Sequence, residues 1–402
     1  MDNIDKFFQQ SHYNIIRTLL SVAGIWPYQT MSQRCVIYLA VLLVLGTGLI
    51  FEVLGMIEVW PDSLEVVDCL PLLVLAIVAL FKLVCAMYTL PKLQIKILLR
   101  KMQEYWYSPK SDEETTILHS YALYGRNVGY VYFGMVLTHC TIFMLITFLS
   151  KFISVESTGN NSSSNTQSTQ RGLPYHVNYM VDVETYYVPI FIHSLVCDVY
   201  YSVLHGVFDV FYLTLVQHCC GLFAAIRCRL ESASEYGNDV STPISRRDKM
   251  FSNIVYSIRR HAEAIQFASA TESLHRAPLF VHLGTNTVVL SILGFQAIVN
   301  TADINHVLKH ITFLDVLLFN MFFENWQGQN MMDSSEEVHQ SAYNMKWYDM
   351  PTNQRKLLVI IMMRSRRASI ITAGKIIIMS YVSFSAVVRA ASSYFMLLRS
   401  MQ

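Results

Sequence analysis

Seven stretches of this chain are too long and too apolar to be accommodated together in a soluble core: 35–59, 64–90, 128–153, 188–215, 278–299, 307–326 and 374–398. A bilayer core asks for about 20 mainly apolar residues per helix, because each backbone polar group there must be satisfied within the segment itself. The sixth stretch is the weakest, since Asp315 and Glu324 interrupt it. Composition agrees: 53% of residues are hydrophobic and 15% charged, against about 25% charged in soluble domains. The expected fold is an all-α integral membrane protein with seven transmembrane helices. Thirty basic residues against twenty-nine acidic ones leave no footprint for nucleic acid.

The basic residues orient the spans. Lys92, Lys96, Arg100, Lys101, Lys110 and Arg126 lie between the second and third, and Arg227, Arg229, Arg246, Arg247, Lys249, Arg259, Arg260 and Arg276 between the fourth and fifth. Such loops belong in the cytoplasm. The first connection has no Lys or Arg, and 154–187 has only Arg171. That stretch also holds two overlapping glycosylation acceptor patterns at Asn160 and Asn161. Both signals predict a cytoplasmic N-terminus and an extracellular C-terminus. Removing the sixth span would carry Lys346, Arg355, Lys356, Arg364, Arg366 and Arg367 outside, which the charge rule opposes.

The chain divides accordingly. Residues 1–33 form a cytoplasmic N-terminus with an amphipathic or re-entrant helix carrying Ile15, Ile16, Leu19 and Leu20; Asp2, Asp5 and Arg17 argue against a secretory signal. Residues 34–226 hold transmembrane helices 1–4 with the glycosylatable outer loop 154–187. Residues 227–277 form a cytoplasmic loop with helical extensions, 278–326 helices 5 and 6, 327–373 a cytoplasmic anchor segment whose 357–363 stretch docks as a short helix, and 374–402 helix 7. The eight cysteines lie in or near spans, as small buried residues rather than bridges.

The last span carries Ser380, Ser383, Ser385, Arg389, Ser392 and Ser393 where lipid favours leucine. Ala386, Ala390, Ser393, Leu397 and Ser400 recur at i, i+4, i+7, i+11 and i+14, which is one helical face. A small, weakly polar face with one bulky apolar residue fits a pore lining with a hydrophobic constriction. It equally fits a small-residue face for packing against another helix.

The run AYNMKWYDMP at 342–351, followed by RKLLVIIMMRSRR, ITAG and SYVSFSAVVRAASSYFMLLRSM, resembles the C-terminal signature of insect odorant receptors. Tyr343, Trp347, Tyr348, Gly374, Phe384, Arg389, Ser393, Tyr394, Phe395, Leu398 and Arg399 stand in the matching order and spacing. Ala368 departs from it, where many members carry proline. The resemblance implies a cation channel gated by volatile ligands, with four subunits around one axis and the last helix of each lining the pore. It also implies a shared odorant receptor co-receptor as partner; this chain, whose last helix carries YFMLLRS, reads as the ligand-tuning subunit. By position the hydrophobic gate falls on Leu397, with Ser400 and Met401 near the outer mouth and Ser393 one turn deeper.

The ligand site implied by the resemblance is an apolar, aromatic cavity in the outer half of the second, third, fourth and sixth spans. The candidates there are Leu73, Val74, Ile77, Phe143, Ile146, Thr147, Ser150, Ile190, Ser194, Cys197, Tyr201, Phe313 and Leu317. Small volatiles bind mainly by shape and dispersion, with Thr147, Ser150, Ser194 or Tyr201 adding a hydrogen bond or two. For each residue alone, ordinary helix packing is the competing reading.

Lys82, Asp198, His205, Asp209, His282, Asp315, Glu324 and Arg389 are ionisable and fall in spans, where charge requires a partner or water. His205 and Asp209 share a face at i, i+4, which suits a structural hydrogen bond between helices. Arg389 is expected to pair with the anchor or a neighbouring subunit. Asp303, His306 and His310 have metal-like spacing but no further ligand, so no metal or cofactor is expected. Three other classes compete. A G-protein-coupled receptor would need the opposite orientation, and a gustatory-type homotetrameric channel differs only in the C-terminal pattern. A membrane enzyme or transporter lacks support, with no HExxH, GxSxG, phosphate loop or paired broken helices.

Overall fold

A computed structural model describes residues 3–10, 12–60, 63–89, 94–157, 173, 176–235, 243–299 and 304–400. Eleven α-helices occur among them: α1 (Asn3–Gln10), α2 (Asn14–Val22), α3 (Met31–Glu58), α4 (Ser63–Thr89), α5 (Gln94–Tyr107), α6 (Asp112–Ser157), α7 (Tyr187–Glu235), α8 (Pro243–Val299), α9 (Ile304–Asn344), α10 (Thr352–Ser365) and α11 (Tyr381–Ser400). A two-stranded antiparallel hairpin, β1 (Thr372–Ala373) with β2 (Ile377–Ile378), precedes the last helix.

Five helices are long and apolar enough to cross a membrane by length and composition: α3, α4 and stretches of α6, α7 and α8. The expected sixth and seventh spans lie in α9 and α11, whose Asp315, Glu324, Arg389 and serines dilute their hydropathy. At about 1.5 Å per residue, the 57 residues of α8 extend roughly 85 Å, far beyond a hydrocarbon core of about 30 Å. α7 is the central helix. Its side chains are buried almost continuously from 204 to 226, as expected for a helix that is apolar all round.

Local signals set the helix ends. Thr30 caps α3 by accepting the Gln33 N–H at 3.3 Å. At the start of α6, Ser111 Oγ accepts from Glu114 N–H (3.2 Å) while the Glu114 carboxylate accepts from Ser111 N–H (3.3 Å), a capping box. The Arg229 guanidinium of α7 also grips that carboxylate, fastening the two helices there.

The N-terminal segment docks through a buried acid. Asp5 accepts from Arg17 at 2.8 Å and from the Trp26 indole at 3.0 Å, beneath a core of Phe8, Ile16, Leu20 and Trp26. The Arg17 hydrogen bond, opposed by burial and helped by Trp26, holds the Asp5 carboxyl below its ordinary value of 3.8. A depressed carboxyl stabilises the docked state above its unfolded value and loses that contribution as pH falls through the folded value. Docking therefore weakens only below about pH 4. Asp5→Asn at neutral pH is expected to weaken docking by roughly 1.5–3 kcal/mol. Faster amide exchange across α1 with α5 unchanged is the expected reading; unchanged exchange in α1 would remove Asp5 from this role.

The seventh span starts later than expected. The stretch from Gly374 to Ser380 is hairpin and cap, and the helix begins at Tyr381. Gly374 has φ +66° and Lys375 φ +63°, with Ile376 N–H donating to Ala373 C=O at 3.1 Å, so a left-handed turn breaks the apolar run. Only glycine fits at 374, because an added Cβ would lie 2.6 Å from the Phe280 ring of α8. Ser380 N–H donates to Asn325 Oδ1 of α9 (3.1 Å), and Gly328 of α9 lies directly against the Met379 backbone. Hairpin and close contact together fix the start of α11 on α8 and α9. As expected, α10 docks as a short helix, burying Leu358 and Ile361, and its Met362 carbonyl meets His339 Nδ1 of α9 at 3.0 Å. All eight cysteines are free, Cys35 being exposed.

Candidate functional site

The expected ligand residues fall into two groups. Val74, Phe313 and Leu317 pack with Val289 and Leu293 of α8 in one apolar cluster, and the Phe143 ring stands 6.3 Å from that of Phe313 in an edge-to-face arrangement. This joins α4, α6, α8 and α9. Leu73 is buried, and Thr147, also fully buried, donates to its own helix at Phe143 C=O (2.9 Å).

Ile190, Ser194, Cys197 and Tyr201 of α7 turn instead toward α3 and toward Leu173, Val177 and Tyr179. Ile190 packs with Leu173 and Val177. Tyr179 Oη lies 3.5 Å from Ser194 Oγ and 2.6 Å from His193 Nδ1. Cys197 Sγ reaches Val44 C=O (3.4 Å), and Tyr201 Oη donates to Leu45 C=O (3.2 Å). Gly48 lets α3 approach this closely, since a Cβ there would stand 2.8 Å from Tyr201 Oη and 2.9 Å from Cys197 Sγ. Ile146 is partly buried outside both groups, and Ile77 is exposed. The Ser150 side chain, Asn160, Asn161 and Met401 lie outside the described residues.

Sequence reasoning missed Val289 and Leu293, which look like any other apolar positions of the fifth span. It also missed Glu52, buried on the α3 face that includes Leu45, Gly48 and Gly55. A lone carboxylate in an apolar span was the available signal.

The last helix is exposed over much of its surface, Ser385, Ser392, Tyr394 and Met396 included, and Ala390 is half-buried. Ala386, Ser393, Leu397 and Ser400 are exposed, Leu397 by 56%, while Ala391 is buried and the Phe395 ring packs 3.6 Å from where a Cβ on Gly294 of α8 would stand. The hydroxyls of Ser393 and Ser400 donate to their own helix, at Arg389 C=O (3.0 Å) and Leu397 C=O (2.7 Å). Arg389 is exposed and forms no ion pair among the described residues of the chain.

Deep between the helices lies a polar knot. Lys82 of α4 sits 3.2 Å from Asp209 Oδ1 of α7 and 3.8 Å from Glu324 Oε1 of α9. Tyr132 of α6 donates to Asp209 Oδ2 at 2.6 Å, and its hydroxyl lies 3.1 Å from Asn320 Oδ1. On α8, Asn286 Nδ2 lies 3.1 Å from His282 Nε2, which leaves His282 Nδ1–H to donate to Glu324 Oε1 at 2.7 Å. Five helices therefore meet around Lys82, Asp209 and Glu324. The structural hydrogen bonds between helices expected of this face are made by Asp209, to Lys82 of α4 and Tyr132 of α6, while His205 Nδ1 meets Tyr201 C=O (3.0 Å) one turn back on its own helix. Asp315 is exposed and meets His139 (3.1 Å); His310 stands 3.7 Å from Asp68. The described residues contain no cluster of three or more metal-ligating side chains.

Comparison with known proteins was made on this geometry. A family model described as 7tm Odorant receptor matches residues 62–392. The chain is 29% identical over 147 residues to the odorant receptor coreceptor of Aedes aegypti, a stretch covering 37% of this chain and 31% of that protein. It is 24% identical over 234 residues to odorant receptor Or2 of Anopheles gambiae, covering 57% of this chain and 61% of the relative. The matches thus span about a third of the coreceptor and three-fifths of Or2. The structure of the insect olfactory receptor OR5 from Machilis hrabei in complex with eugenol superposes with a TM-score of 0.76 at 12% identity, covering 97% of both chains, a likeness of fold. With the family model matched across most of its length, the chain belongs to the 7tm odorant receptor family.

Proposed function

We propose that this chain is the odorant-tuning subunit of a ligand-gated, non-selective cation channel in the plasma membrane of sensory neurons. It has seven spans, N-terminus inside and C-terminus outside, and assembles as a heterotetramer with an odorant receptor co-receptor. The face of α11 carries this reading. Ser393, Leu397 and Ser400 are uncovered in the single chain although α8 and α9 hold the helix from the other side, as a face completed only around a shared axis would be. By its place in the family signature Met401 belongs near the outer mouth, and Arg389 finds its partner in a neighbouring subunit. Glycosylation at Asn160 and Asn161 accords with the outer placement of their loop.

The ligand is a small volatile molecule, held by Val74, Phe143, Phe313 and Leu317 with Leu73 and Thr147 nearby. OR5, of the same fold, is described with eugenol, an aromatic volatile. Ile190, Ser194, Cys197 and Tyr201 support the site from the α3 side. Phe313→Ala is expected to raise the half-activating concentration about tenfold or more, with the maximal current kept, in line with the roughly 1–3 kcal/mol that apolar pocket contacts discriminate. An unchanged dose–response curve would take Phe313 out of the site.

The deciding experiment is voltage clamp of oocytes expressing this chain, the co-receptor, or both, challenged with a panel of volatiles under G-protein blockade. Current evoked by volatiles that require both subunits supports the reading. Current from this chain alone would favour a gustatory-type homotetramer, and current abolished by the blockade would favour a G-protein-coupled receptor.

A further inference from the structure

We infer that Ser369 is a phosphorylation site for a serine/threonine kinase that selects basic segments. The chain contains three Arg-Arg pairs, at 246–247, 259–260 and 366–367, and only the last has a serine two residues on. The run Arg366-Arg367-Ala368-Ser369-Ile370 sets two guanidinium forks before the hydroxyl and an apolar side chain after it. A kinase cleft lined with carboxylates binds such forks in bidentate fashion and rejects acidic segments. The site rests on the orientation proposed above, with 327–373 in the cytoplasm, where ATP and such kinases are found.

The fold leaves this run available. α10 ends at Ser365, Arg366 N–H reaches Met362 C=O and Arg367 N–H reaches Arg364 C=O, both at 3.3 Å, and residues 368–370 belong to neither helix nor strand. A kinase takes its substrate extended, and this stretch can be drawn out without unwinding a helix interior. Arg366, Arg367 and Ile370 are exposed, and neither arginine is ion-paired among the described residues. Ser369 is half-buried, tied to α9 by its N–H, which donates to Ser335 Oγ at 2.8 Å. Arginine also stands three residues before Ser232 and Ser392, but both serines lie inside helices and Arg229 is held by Glu114. In the transfer, Ser369 Oγ attacks the γ-phosphorus of ATP in the kinase. The Oγ–P bond forms as the bond from that phosphorus to its bridging oxygen breaks, ADP leaves, and the hydroxyl proton passes to a kinase carboxylate. The phosphate brings about two negative charges. Burial against α9 penalises it and the exposed Arg366 and Arg367 draw it outward, breaking the bond to Ser335. β1 begins at Thr372, and Ile371 C=O accepts from Met379 N–H at 2.9 Å, so the phosphate loosens the hairpin that sets the start of α11.

The test does not depend on channel activity. The purified full chain in detergent is incubated with the catalytic subunit of cyclic-AMP-dependent protein kinase and γ-³²P-ATP. Label is expected on the chain, with peptide mass spectrometry of the unaltered protein placing the phosphate on Ser369. Ser369→Ala is expected to lose it, and combining Arg366→Gln with Arg367→Gln to slow its incorporation by about tenfold or more. No incorporation, or phosphate only at other residues, would overturn the inference and leave the proposed orientation standing. Incorporation at Ser369 that is as fast without the two arginines would overturn recognition by charge. Amide exchange in the phosphorylated chain is expected to quicken over 366–380 with α5 unchanged; equal exchange would overturn the loosening of the hairpin. In sealed right-side-out membrane vesicles, label is expected only once they are made permeable to the kinase. Label in intact vesicles would overturn the orientation, and with it a cytoplasmic kinase, while leaving the recognition of the run intact.

Discussion

Lys82→Met is expected to lower the stability of the folded chain by about 3–5 kcal/mol, the cost of breaking a buried ion pair from one side. Methionine fills the lysine's volume, so packing changes little and the loss is electrostatic. Asp209 and Glu324 would be left facing each other with no other Lys or Arg ion-paired to either among the described residues. Because Asp209 also holds Tyr132 and Glu324 also holds His282, the strain is shared by α6, α7, α8 and α9. Thermal unfolding of the purified chain in detergent measures the loss. The triple variant Lys82→Met, Asp209→Asn, Glu324→Gln should regain most of it, since neutral side chains of the same shape remove the orphaned charges. A Lys82→Met chain as stable as the original would mean that Lys82 does not seat these acids.

Leu397→Ala is expected to produce a standing cation current without ligand when the chain is expressed with a co-receptor. In the proposed pore, Leu397 is the bulky apolar side chain on an otherwise small face of Ala386, Ala390, Ser393 and Ser400. A narrow apolar ring excludes ions because water withdraws from it, and alanine widens the ring and lets water return. The ligand-free holding current should rise several-fold while Met396→Ala, on another side of the helix, leaves it unchanged. A closed-state current equal to that of the original receptor would displace the gate from Leu397.

The last helix shows where local reading ended. Its stripe of small residues was legible because the i, i+4, i+7 spacing is a property of one helix. Its first residue was not. The 374–380 stretch is as apolar as a span, and hydropathy alone carries the helix back to Gly374; the left-handed pair Gly374–Lys375 and the approach of Phe280 and Gly328 turn it into a hairpin instead. The ligand set divided for a similar reason. Ser194, Cys197 and Tyr201 follow one another along one face of α7, but the missing side chain at Gly48 draws that face against α3.

The sequence by itself determined the class of the fold, the helical identity of its spans, the docking of a short helix before the last one, and the family signature at the end of the chain. These follow from hydropathy, helical period and motif order, which are written in neighbouring residues. Only the tertiary structure decided which charges meet. Asp209 has His205 four residues away on its own helix, yet it binds Lys82 and Tyr132 from two others. A buried charge is stabilised by whichever partner the packing brings within about 3 Å, and separation along the chain carries no information about that distance.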